Sequence, residues 1–127
     1  MTPRFSGLPF FVYPVSDMPR ARAFYRGVLG LTESANWGDK WVEFEVGSPD
    51  GPALAISTEI GGAIPGSTAA AAALEAIDFD AAIAHLRAQN ISIIFGPADS
   101  GVCHFARFTD PDGNHLVLHR HHPPAAS

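Results

Sequence analysis

Two stretches of this chain carry the same local order, and that repetition restricts its fold more than any single motif does. In the first, an apolar and aromatic run from Leu8 to Val15 ends at Ser16-Asp17 and gives way to the segment from Met18 to Leu29. Asp17 is placed to accept from the open N–H groups of a helical first turn, Pro19 is tolerated there, and Met18, Ala21, Tyr25 and Val28 recur on one face. Gly30 supplies the stop. Short segments follow at Leu31 to Ala35, Lys40 to Val46 and Ala53 to Thr58, separated by Asn36-Trp37-Gly38-Asp39 and Ser48-Pro49-Asp50-Gly51, which are turn chemistry. The second stretch repeats the order. It has a strand from Ala69 to Ile77, where Ala69 to Ala73 alone favour a helix. Asp78 then caps a helix with Phe79, Ala82, Ile83 and Leu86 on one face, and strands follow at Ile91 to Phe95, Val102 to Phe108 and His115 to Arg120. Asp17 and Asp78 are equivalent caps, so the chain repeats at an offset of about sixty residues. The expected class is α+β, built of paired βαβββ modules.

The 127 residues suit one domain rather than two independent ones. We expect it to cover residues 8–120, with modules over about 8–58 and 69–120, a linker from Glu59 to Ser67, and a flexible tail over 121–127. Eight Lys and Arg against thirteen Asp and Glu give a formal net charge of −5, without a basic cluster, which argues against a nucleic-acid partner. The longest apolar stretch, Thr68 to Ile77, falls far short of the roughly 20 residues that span a bilayer. The start does not read as a signal peptide, so no membrane partner and a cytoplasmic location are expected. The single cysteine, Cys103, rules out an intramolecular disulfide and a cysteine-based zinc motif.

With those segments placed, the chain resembles the vicinal-oxygen-chelate superfamily of glyoxalases, bleomycin-resistance proteins and extradiol dioxygenases. The likeness rests on Pro14-Val15-Ser16-Asp17-Met18, Phe24-Tyr25, Val28-Leu29-Gly30-Leu31, Trp41-Val42-Glu43-Phe44, Asp78-Phe79-Asp80-Ala81-Ala82, and the run from Phe108 through Asp110-Pro111-Asp112-Gly113-Asn114 to Leu116. The resemblance implies that the paired modules form a cupped mixed sheet around a small ligand, with helices on the outer face, in a homodimer. In the metal-dependent members, ligands come from the first and fourth strands of each module, positions that carry over to Phe10, Ala55, Ala71 and Val117. None of these offers the imidazole or carboxylate that a divalent ion needs, so no metal and no cofactor are expected at that set.

Side chains alternate along a strand, so neighbours two residues from those positions should share their face. That reading directs His115 and His119, Glu75, and Trp41 with Glu43 and Glu45 toward the cup, and leaves Leu54, Ile56, Leu116, Leu118, Val42 and Phe44 to the helix side. Trp37 and Trp41 are flat surfaces suited to stacking on a planar ligand or to packing. His115 and His119 lie about 13 Å apart along a strand at roughly 3.3 Å per residue, too far to share one ion. Each could instead serve a ligand as hydrogen-bond partner or proton carrier, or sit at the rim in water. The facing of Cys103, His104 and Arg107 stays open. Asp110 and Asp112 read as turn residues. The ligand-binding candidates are therefore Trp37, Trp41, Glu43, Glu75, His115 and His119. Two functions compete: a binder that sequesters a cationic or aromatic small molecule, and an enzyme using acid-base residues or a metal held elsewhere.

Overall fold

In the computed structural model, which describes residues 2–123, the chain forms two compact units that divide between Ala63 and Ile64. The first contains β1 (Phe10–Pro14), α1 (Met18–Arg22), a π-helical segment (Ala23–Val28), β2 (Thr32–Trp37), β3 (Trp41–Val46) and β4 (Ser48–Ser57). The second contains β5 (Ala72–Glu75), α2 (Phe79–Ala88), β6 (Ile93–Asp99), β7 (Cys103–Thr109) and β8 (His115–His121). Each is a βαβββ module with a four-stranded mixed sheet, ordered β1-β4-β3-β2 and β5-β8-β7-β6. The first strand of each runs parallel to the last, and the other pairings are antiparallel. Among the described residues no helix is long and apolar enough to cross a membrane.

Both helices start as their sequences predict. The Asp17 carboxylate accepts from the Arg20 N–H at 3.1 Å and the Asp78 carboxylate from the Ala81 N–H at 3.0 Å, satisfying donors that a first turn leaves open. The first helix does not stay α-helical to Leu29. From Ala23 its turns widen, with the Leu29 N–H donating to the Phe24 carbonyl five residues back. Adjacent Phe24 and Tyr25 are both buried, where the α-helical stripe had only Tyr25 inward. Tyr25 stacks near Phe44 and Tyr13, and Arg22 pairs with Glu33 at 2.7 Å, tying the helix to β2.

Several strand limits move. Trp37 belongs to β2, because Gly38 and Asp39 both take positive φ (62° and 57°) and make the reversal themselves, with Asn36 and Asp39 bonded to each other. Ser48–Gly51, expected as a turn, open the long β4, while Gly47 at φ 82° makes the reversal. β5 is shorter than Ala69 to Ile77, β6 runs later than Ile91 to Phe95, and β8 continues one residue past Arg120. Of the expected tail, residues 124–127 lie outside the described residues.

The helix-facing side of each sheet is the core. Val42, Phe44, Leu54 and Ile56 are buried in the first unit, and Ala106, Phe108, Leu116 and Leu118 in the second, where α1 packs over β4 and α2 over β8. The Asp-Pro-Asp-Gly-Asn turn is closed by buried Asp110. Its carboxylate accepts from the N–H groups of Asp112 and Asn114 and from the Asn114 side chain, each at 2.9 Å. The role expected of Asp110 is the one it plays.

Candidate functional site

The registers give the two sheets equivalent positions on the side away from their helices. Trp41 pairs with Ser57, Glu43 with Ala55 and Glu45 with Ala53, while Phe105 pairs with His119, Arg107 with Val117 and Thr109 with His115. On the parallel side, Ala55 pairs with Val12 and Val117 with Ala73. Phe10 pairs with Ala53, and Ala71 falls one residue before β5. Neither the carried-over positions nor Val12 and Ala73, their partners across the parallel pairings, provide a donor atom. The residues present do not fit the ion that metal-dependent members hold there.

On the first sheet this open side is aromatic and acidic. Trp41 is half-buried, meets Phe10 edge-on at 5.5 Å between ring centres, and donates its indole N–H to the Glu43 carboxylate at 2.8 Å. Trp37, directly across the hairpin from Trp41, is 58% exposed. Beneath them lie small residues: Ala55 and Ser57 are fully buried. The exposed ring of Trp37 and the partly exposed ring of Trp41 offer flat surfaces to a planar guest, and a carboxylate beside them favours a positive one. Sequence reasoning missed Phe10 as an aromatic wall because it considered the position only as a lost ligand.

The second sheet's open side differs. Phe95 stacks on Phe105 at 5.8 Å, and Arg107 donates to the Ala69 carbonyl at 3.0 Å and lies 3.2 Å from the Nδ1 of His115. Since an arginine only donates, that contact has His115 Nδ1 accepting. At the end of the sheet, Glu75 Oε1 meets His119 Nδ1 at 2.5 Å and Glu75 Oε2 accepts from the His121 N–H at 2.9 Å. The hydrogen bond from His119, and after it the one from the His121 backbone, hold the Glu75 carboxyl below its ordinary range. His104 faces the helix side, 5.6 Å from the Phe79 ring, whereas Cys103, Phe105 and Arg107 share the open side. The six candidates thus form separate groups: Trp37, Trp41 and Glu43 on one sheet, Glu75 with His119, and His115 with Arg107 on the other. The two sheets differ in charge on this side: Arg107 stands on the second where Glu43 stands on the first, with Glu75 at the end of the second. Phe95 and His121 escaped the sequence reading, which named Arg107 but left its facing open. The alternation of His119 and His121 was the signal available for His121.

Residues 7–118 match the model of the Glyoxalase/Bleomycin resistance protein/Dioxygenase superfamily. Among solved structures, TnmS3, an antibiotic binding protein from Streptomyces sp. CB03234, is 27% identical with a TM-score of 0.82, covering 95% of this chain and 100% of its own. A glyoxalase/bleomycin resistance protein from the same organism is 27% identical with a TM-score of 0.77, covering 90% and 100%. A glyoxalase/dioxygenase from Nostoc punctiforme, 22% identical with a TM-score of 0.72 over 93% and 92%, shares the fold. No curated protein matches the chain.

Proposed function

The chain belongs to the glyoxalase/bleomycin resistance protein/dioxygenase superfamily, and from that premise we propose that it binds an aromatic, positively charged small molecule and releases it unchanged, without the superfamily's usual metal centre. The observation that carries this reading is the open face of the first sheet. There Trp41, Phe10 and Trp37 place aromatic surface beside the Glu43 carboxylate, which accepts from the Trp41 indole. An aromatic guest gains buried area and ring contacts on such a surface, and a cationic one also gains from the adjacent carboxylate. A structure 27% identical whose protein is described as antibiotic binding supports a small-molecule ligand. The apolar side chains at Phe10, Ala55, Ala71 and Val117 support a hold by shape and stacking rather than by coordination.

Titrating tryptophan fluorescence with a panel of planar cationic and neutral aromatic compounds tests this. Saturable quenching is expected for at least one cationic compound. Trp41→Ala should then weaken its affinity by about 1 to 3 kcal/mol, the range for losing a buried aromatic contact, in a protein that still folds. A panel without response, or chemical conversion of a bound compound, would sink the reading, and conversion would favour the enzymatic alternative. The reading includes a cytoplasmic homodimer, the commonest closed assembly. Sedimentation as a monomer at tens of micromolar would remove the dimer from it.

A further inference from the structure

We propose that Glu75, His119 and His121 form a binding site for a divalent transition-metal ion of the zinc class, separate from the positions that metal-dependent members use. His119 and His121 are two apart on β8, so their imidazoles leave the sheet on the same side, and Glu75 pairs with His119 across the parallel β5–β8 ladder. One donor atom from each lies within 4.8 Å of the other two. Zinc–nitrogen and zinc–oxygen bonds of roughly 2.0 to 2.2 Å put the donors around one ion at most about 4.3 Å apart, so modest side-chain rotations would close the set. Two imidazoles and one carboxylate suit zinc, nickel or copper far better than magnesium or calcium.

The surroundings favour this set. The His121 N–H holds Glu75 Oε2, which fixes the carboxylate while Oε1 points at His119. The ion would take the place of the hydrogen between Oε1 and Nδ1, the neutral imidazole carrying its hydrogen on Nε2 instead, and acid would compete with the ion for the ligand atoms. The three groups are partly or fully exposed, which leaves a fourth position for water or a ligand atom. The site sits one pleat repeat, roughly 6.6 Å, along β8 from Val117. A second triplet, Asp99, His104 and His122, lies on the helix-facing side of the same sheet end. There one oxygen, Asp99 Oδ1, already accepts from both the Gly101 N–H and His122, and Phe79 lies against His104. This makes the second triplet the natural control.

The inference does not depend on the small-molecule reading. The test is a zinc titration of the full chain, carrying no affinity tag, against a chromophoric chelator at neutral pH, with cobalt substitution to read coordination by visible absorption. One equivalent should bind. His121→Ala and Glu75→Gln should each weaken it by about tenfold or more, as loss of a ligand requires, whereas His104→Ala should leave it unchanged. All four proteins should share one far-ultraviolet circular dichroism spectrum. Failure of the wild-type chain to bind an equivalent, or loss in His104→Ala with none in His121→Ala, would overturn the assignment. Retained affinity in both His121→Ala and Glu75→Gln would do the same.

Discussion

Where the first sheet carries Glu43 opposite Ala55, the second carries Arg107 opposite Val117, at the same step of the same ladder. The neighbouring equivalents diverge as far: Trp41 against Phe105, and Ser57 against His119. On the other side of the sheets the equivalents stay apolar while some change in size, as where Val42 pairs with Ile56 and Ala106 with Leu118. Phe44 pairs with Leu54 as Phe108 pairs with Leu116, and all four are buried. A repeated backbone has thus kept one face and remade the other. The difference follows from what each face must do. A side chain under a helix has to match a fixed volume at close packing, while one on the open face answers mainly to whatever it binds.

That contrast can be broken experimentally. The largest effect is expected from Phe44→Ala and Phe108→Ala, since each removes a fully buried ring. Each should cost about 3 to 5 kcal/mol in urea denaturation, and a cost below about 1 kcal/mol at either would show that the two cores are not equivalent. Asp17→Ala and Asp78→Ala should each cost about 1 kcal/mol by losing one cap bond. A large inequality between them would mean that the widened turns after α1 have changed what the first cap supports. The smallest effect is on the acid dependence of the second unit. The Glu75 carboxyl is depressed by His119 and the His121 N–H, so its stabilising contribution is present above its ordinary value of 4.5 and is lost as pH falls through the lower folded value. Glu75→Gln should therefore flatten the fall in melting temperature on acidification below about pH 4.5, while changing its shape little above. An identical acid limb in both proteins would remove Glu75 from that role. Its exposure keeps the effect small.

What could be read from the sequence tracks the same division. Both caps and the alternation of Val42, Phe44, Leu54, Ile56, Leu116 and Leu118 follow from periodicity, because burial under a helix imposes a pattern. The open face imposes none, so its pairings had to come from register. Register is set by details a linear reading lacks: the bulge between Glu33 and Ala35, and the shifts along β6 between Ile93 and Ala98. Those shifts bring Phe95 beside Phe105 and Arg107 rather than ending its strand. The widened turns of Ala23–Val28 were equally hidden, since they leave apolar residues at spacings an ordinary helix also allows. His121 was lost for another reason: a histidine-rich end before two prolines looks like a tail, although it closes a strand.

Gly66 has a consequence for anyone dividing this chain. A β-carbon at that position would lie 2.3 Å from the Asp112 carbonyl oxygen, and its N–H donates to the Asn114 side chain at 2.9 Å. The connecting segment is therefore threaded into the last turn of the second unit, six residues before that unit's first strand begins. A fragment cut at Ala72 would keep every strand and helix of the second module yet expose a side-chain oxygen that the intact chain satisfies. Cut sites for an isolated half, for swapping halves between relatives, or for inserting a reporter therefore belong upstream of Ile64. A library that randomises the linker should hold position 66 as glycine.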